Sequence, residues 1–406
     1  VGLALMDVVE LLPTDLPDGA QAPSADSVPL LRDAGALRAL RTAIAGAKAG
    51  DEVSAAALRE LSGCDGAVHA ARLPTVHALG EGGFATVELR RITPGSGVDD
   101  LVRDDPRFAN KLLAAKRFHR GRDPATEAYA ERLLRIEAAV LRAVSHPNVA
   151  RGLGCAVADD GDLVLLTEYL PNGSLLDALR AGAAYDDRRA LQWLQDVSRG
   201  MAHLHGPEPE RLAVVHRDIK LENVLVDTTG RAKVCDLGLA AIVGAGEEEE
   251  AEAGSSSEPR RPGDSGARDG QVLTGHTGGE RYMAPENFLR KKYGHKVDVF
   301  SFGILAFEVL ARTRAYDELF LTGEQMASAM ALRGLRPAVP DGWPRALSEL
   351  LAACWHEDPA RRPEFAAVAV DLARVAGSAH DMAQLKAVTE RRRWGALQAC
   401  SSCHVA

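Results

Sequence analysis

The stretch VVHRDIKLENVLVD, residues 214–227, decides how the rest of the chain is read. An apolar run delivers His216, Arg217 and Asp218 into a loop, Lys220 and Asn223 follow at once, and a second apolar run closes it. A charged surface turn does not need apolar strands on both flanks. A loop that must hold a base, a cation and an amide oxygen at fixed spacing does, and H-R-D-x-K-x-x-N is a specific pattern.

Thirteen residues past Asn223, VCDLGLA (residues 234–240) ends an apolar strand on Asp236, with Gly238 expected to permit a sharp exit. Oxygen ligands from Asn223 and Asp236 on neighbouring strand ends suit a hard cation such as Mg2+. Upstream, LLAAKRF (residues 112–118) places Lys116 at the end of an apolar strand, where an ammonium needs an anionic partner. The helix expected over residues 124–144 offers one, because Glu137 shares a face with Leu133, Val140 and Leu141. Further upstream, LGEGGFATV (residues 79–87) fits G-x-G-x-x-G-x-V at Gly80, Gly82 and Val87, with Ala85 in the third glycine's place. Glycines there let backbone N–H groups approach an anion.

The rest of the chain fits a soluble globular protein: 406 residues, 46% hydrophobic and 26% charged. A net charge of -9 argues against nucleic acid as a partner. Six scattered cysteines with no framework spacing predict reduced thiols and a cytoplasmic, intracellular setting. No apolar run is long enough for a membrane span. Residues 1–72 read as a helical N-terminal extension, with Leu30, Leu31, Leu37, Leu40 and Ile44 near helical spacing and DEVSAAALRELSG (residues 51–63) as a capped helix ended by Gly63. From His77 the period changes to two, interrupted by a polar insert at residues 93–106, and after residue 173 helical patterns dominate. The fold class is α+β: a small β-rich lobe with one long helix, then a larger helical lobe, with a ligand cleft between them.

These motifs, in this order, resemble the eukaryotic protein kinase family over residues 73–377. The resemblance implies a two-lobed protein kinase fold, with an N-lobe at 73–168, a C-lobe at 169–377 and a tail at 378–406. It implies that Leu79, Gly80, Gly82, Val87, Ala114, Thr167, Glu168, Leu170 and Leu225 line the site of ATP. Lys116, paired to Glu137, would hold the phosphates, and Asn223 and Asp236 would hold Mg2+ or Mn2+. Asp218 would take the substrate hydroxyl's proton and Lys220 would steady the transferring phosphoryl group. RYMAPE (residues 281–286) resembles the end of the activation segment, with Glu286 partnering Arg362, and Asp298 opens the central helix of the large lobe. Lys220 is the serine/threonine pattern, and Thr167 before EYLPNGSL with the RYMAPE stretch resembles the tyrosine-kinase-like group. The implied activity is transfer from ATP to protein Ser/Thr hydroxyls, with dual specificity, or a scaffold that binds nucleotide without transfer, as the rivals.

One departure from the family pattern is Gly279, where a Ser or Thr hydroxyl would help tie the catalytic Asp and Lys to the substrate; Thr277 is two residues away. Another is the acidic insert at residues 245–271 inside the activation segment, where residues 247–269 hold eight acids against three arginines and almost nothing apolar. The insert reads either as an inert addition to a surface loop or as a regulatory segment in which Arg217 pairs with a phosphate placed on Thr274, Thr277 or Ser255 to Ser257 by an upstream kinase. The terminal CSSCHV, with Cys400, Cys403 and His404, matches a haem-attachment pattern in a context that provides no haem fold.

Overall fold

The computed structural model describes residues 31–48, 51–63, 68, 70–81, 85–99, 102–103, 105–118, 124–182, 185–207, 212–244 and 279–402. Eleven strands and eleven helices occur among them, interspersed with short 3-10 turns. The chain opens with β1 (Leu31–Arg32), α1 (Ala34–Lys48) and α2 (Glu52–Ser62). The capped helix read from the sequence is α2: Asp51 accepts from the N–H groups of Val53 and Ser54, and Gly63 closes it at φ 63. Leu31 lies in β1 and not in a helix, and Leu30 is outside the described residues.

β2 (Thr75–Glu81), β3 (Ala85–Arg91), β4 (Leu112–Phe118), β6 (Gly152–Val157) and β7 (Leu163–Glu168) form one antiparallel sheet in the order β2-β3-β4-β7-β6. α3 (Pro124–Ala143) and the two-residue β5 (Val144–Ser145), which pairs with β1, precede β6. Alternation gives the sheet two faces. Leu113, Ala115, Val164 and Leu166 pack outward with Leu73, Ile92, Val98, Val102 and Phe108. The insert that reads as polar therefore contributes Val98 and Val102, each 1% exposed, to the cluster on this face of the sheet, beside the equally buried Phe108 that follows it. Ala114, Lys116, Leu165 and Thr167 take the other face.

The large lobe contains α4 (Leu175–Arg180), α5 (Asp187–His205), β8 (Leu212–Val215), β9 (Val224–Val226), β10 (Ala232–Val234), β11 (Ala241–Gly244), α6 (Pro285–Phe288), α7 (Lys296–Ala311), α8 (Gly323–Arg333), α9 (Arg345–Cys354), α10 (Phe365–Gly377) and α11 (Ala379–Ser402). α7 is buried on every side from Val297 to Ala311, the mark of a helix in the middle of a core. The tail is an ordered helix: Leu385 and Val388 of α11 enter the core, and Thr389 donates to Asp187 at 2.9 Å. Cys403 and His404 lie outside the described residues.

No helix among the described residues is long and apolar enough to cross a membrane. Cys235 and Cys354 are free, but Cys155 is disulfide-bonded, so the expectation of thiols throughout fails there.

Candidate active site

Sheet register places the first group. Gly80 of β2 stands opposite Val87, Val87 opposite Lys116, and Lys116 opposite Leu165, a single row across four strands. Aliphatic neighbours on both sides leave the Lys116 ammonium to find its partners off the sheet. Its Nζ donates to Glu137 Oε2 at 3.0 Å and to Asp236 Oδ1 at 2.7 Å. The pair expected from sequence exists, and a second carboxylate shares it. Burial works against charge on all three groups, with different outcomes. Lys116 is held above its ordinary pKa by Asp236 and Glu137, and Asp236 is held below its own by Lys116. Burial dominates at Glu137, 2% exposed, and raises its carboxyl.

The loop that carries Asp218 hangs from a buried acid. Asp298, at the start of α7 and fully buried, accepts the backbone N–H groups of His216 and Arg217 at 2.8 Å each and contacts His205 Nε2 at 2.9 Å. Burial opposes its charge, but these donors outweigh it and hold its carboxyl below the usual range. They also fix Arg217 at φ 67, a conformation that costs a non-glycine residue free energy. His216 Nδ1 accepts the N–H of Asp218 at 3.2 Å, so its proton sits on Nε2 and is donated to the Cys235 carbonyl at 2.9 Å. The His216 ring thereby ties the strand carrying Asp218 to the strand carrying Asp236.

Asp218 receives Lys220 Nζ at 2.5 Å and Asn223 Nδ2 at 2.8 Å, both on Oδ2, and its Oδ1 lies 3.5 Å from where a Cβ of Gly279 would be. A hydroxyl at position 279 would therefore reach the carboxylate, and Gly279 withholds it. Burial raises the Asp218 carboxyl above its ordinary pKa, with Lys220 opposing. Asn223 spends its amide nitrogen on Asp218, which turns its carbonyl oxygen away for another partner. Antiparallel pairing of β9 and β10, with Cys235 N–H on the Asn223 carbonyl at 3.0 Å, brings Asn223 and Asp236 to adjacent strand ends. The turn after β10 is made by Asp236 itself, at φ 64, whereas Gly238 is absent from the residues at positive φ. The sharp exit assigned to Gly238 is thus corrected. A Cβ at Gly238 would stand 3.4 Å from both Asp236 Oδ1 and Glu137 Oε2, so the glycine leaves room beside the two carboxylates.

Of the residues expected at a nucleotide, Leu79 is 38% exposed on β2, Thr167 is paired with Ala114 across β7 and β4, and Leu170 is buried past the strand end. Leu225 on β9 bridges Ser174 and pairs with Lys233. Gly82 lies outside the described residues. Glu168 is engaged elsewhere: its carboxylate takes Lys233 Nζ at 2.9 and 2.8 Å and the Arg151 N–H at 2.7 Å. Its backbone N–H is likewise spent, on the Arg151 carbonyl at 2.9 Å. Lys233 was not singled out from sequence, although the signal that revealed Lys116, a lone Lys flanked by apolar residues, is present in Ala232-Lys233-Val234. The expected Glu286–Arg362 pair forms with two hydrogen bonds, at 2.5 and 2.9 Å. Arg217 Nη1 donates to Tyr293 Oη at 3.1 Å and its Nε to the Leu239 carbonyl, while Thr274, Thr277 and Ser255 to Ser257 lie outside the described residues.

Comparison with known proteins gives a consistent answer. The chain is 34% identical over 233 residues to serine/threonine-protein kinase STY17 of Arabidopsis thaliana, covering 57% of this chain and 35% of that protein. It is 32% identical over 236 residues to the dual specificity protein kinase shkB of Dictyostelium discoideum, covering 57% and 32%. It is 33% identical over 232 residues to a probable serine/threonine-protein kinase of the same organism, covering 57% and 22%. The chain thus spans less than half the length of each of these relatives. The protein kinase domain model matches residues 75–371, most of the chain and all of the site just described, and the chain belongs to that family.

Proposed function

We propose that the chain transfers the γ-phosphoryl group of ATP to serine or threonine hydroxyls of proteins. The observation that carries this reading is Asp218 held by Lys220 and Asn223, with Lys116 divided between Glu137 and Asp236. Phosphoryl transfer asks a protein mainly for position and charge, and these residues supply both. In this reading Lys116 moves its charge onto the nucleotide's phosphates while Glu137 keeps it in place. Asp218 accepts the proton of the hydroxyl whose oxygen bonds to phosphorus as the bond to the ADP oxygen breaks. Lys220 neutralises charge on the transferring group. The side-chain amide oxygen of Asn223 and the carboxylate of Asp236, 42% exposed at its side chain, are hard donors that fit Mg2+. The metal, when bound, would supply Lewis-acid neutralisation of the phosphate oxygens.

Residues 73–377 form the catalytic unit in this proposal, with 1–72 and 378–406 as its flanks. Lys220 two residues after Asp218 supports Ser/Thr selectivity, and the names of STY17 and the probable Dictyostelium kinase agree. The name of shkB keeps dual specificity open. An upstream kinase is the natural partner for Arg217, which lies beside the start of the activation segment. The need for ATP and the free thiols of Cys235 and Cys354 support a cytoplasmic site of action, with the disulfide at Cys155 as the contrary feature. Incubation with radiolabelled ATP, Mg2+ and a generic basic protein, followed by phosphoamino-acid analysis, tests the reading. Phosphoserine and phosphothreonine support it, phosphotyrosine beside them establishes dual specificity, and no label refutes transfer.

A further inference from the structure

Helices that lie outside the matched kinase domain are built into its control elements. In α1, Leu37, Leu40 and Ala43 are 0%, 1% and 2% exposed, and in α2 Leu58 is 2% exposed. Spacing of three residues along α1 makes a single buried stripe. That stripe belongs to the same core as Leu134, Val140 and Leu141 of α3, the helix that carries Glu137. Helix α1 also packs against β8 and β11, and β11 is the strand that leaves Asp236.

Three polar or steric ties reinforce the apolar contact. The Asp33 N–H donates to the Ala143 carbonyl at 2.9 Å, satisfying an acceptor that the end of α3 leaves open. β1 pairs with β5, the two residues that continue α3. Arg142 of α3 crosses the left-handed cap of α2 so closely that a Cβ on Gly63 would fall 1.4 Å from its Nη1. The helix pair thus grips both elements whose placement lets Glu137 and Asp236 reach Lys116 together. Holding those groups in place is what the chemistry requires.

We infer that α1 and α2 are a built-in brace for the active site, and that Leu37, Leu40 and Leu58 are positioning residues for phosphoryl transfer. The activity arm of this inference rests on the kinase reading above; its structural arm does not. The test compares the full chain with its Leu40→Asp and Leu40→Met variants, by steady-state kinetics and by amide hydrogen exchange. Leu40→Asp is expected to lower kcat about tenfold or more while peptide KM stays within about twofold, because geometry is lost and the peptide site is not. Exchange should quicken in α3 and β11 and stay unchanged in α7 and α9, and Leu40→Met should restore both readouts. A Leu40→Asp variant with kcat within about twofold of wild type and unaltered exchange in α3 overturns the brace. So does exchange that quickens equally in α7 and α9, since that is general unfolding. If the wild-type chain transfers no phosphate, the kinase reading falls and the exchange arm alone decides.

Discussion

Two kinds of buried ion pair sit in this molecule. Arg362 and Glu286, with side chains 0% and 7% exposed, saturate one another through two hydrogen bonds, and Arg362 spends further N–H groups on the carbonyls of His356, Lys296 and Glu357. Lys233 and Glu168, 4% and 3% exposed, are also shut away from solvent, with the mostly buried Asp227 carboxylate 4.0 Å from the same ammonium. Lys116 differs in exposure: of the two carboxylates it serves, Asp236 is open to the cleft, its side chain 42% exposed. The sealed pairs hold elements together. The open group carries surplus negative charge and an uncovered oxygen, the state a site needs if it is to receive a metal and phosphates.

If that contrast is right, breaking a sealed pair costs stability and breaking the open one costs rate. Arg362→Ala leaves Glu286 buried without its cation and should destabilise the chain by about 3–5 kcal/mol in denaturant unfolding. Lys116→Met should reduce kcat by about 100- to 1000-fold, with the unfolding midpoint shifted far less than in Arg362→Ala. Lys233→Ala alone should resemble Arg362→Ala, whereas Lys233→Met combined with Glu168→Leu should recover part of the loss, because the fully buried charge pair is replaced by apolar groups and Asp227 keeps its bonds from Thr229 and Arg231. Gly279→Ser places a hydroxyl within reach of Asp218 and should change kcat/KM for a peptide by about two- to tenfold, the worth of one hydrogen bond.

The pH dependence sharpens the same contrast. Burial raises Asp218 and Glu137, so each is protonated at a higher pH than an ordinary carboxyl. Activity should therefore fall on acidification before the usual carboxylate range near pH 4 is reached. The stability sign is opposite. A carboxyl whose folded pKa is raised favours the fold when protonated, and that contribution is lost as pH rises through the folded value. Neutral Asp218→Asn should thus unfold at the same or a higher temperature than wild type at pH 8.

Much of the site was legible because its chemistry fixes residue types at fixed spacing. Lys116 and Glu137 stood out as charges where apolar side chains belonged, and the loop from His216 to Asn223 is too constrained to be a surface turn. What escaped was set by backbone conformation and by long-range packing. Gly238 looked like the turn-maker, yet Asp236 takes the positive φ, held by its bond to Lys116. The 93–106 insert looked polar because Val98 and Val102 are isolated among Asp and Gly, and only the sheet's outer face reveals what they cover. The bond from Lys233 to Glu168 escaped because the two residues are distant in sequence.

The central claim is that Asp218 is the base of a phosphoryl-transfer site that the open lysine completes. Its most direct test is initial-rate transfer from radiolabelled ATP by wild type and by Asp218→Asn, with nucleotide affinity measured on both. Asp218→Asn should lose about 100- to 10,000-fold in kcat, the usual share of a positioned base, while binding nucleotide about as well as wild type. Equal incorporation of label by the two proteins would contradict the account.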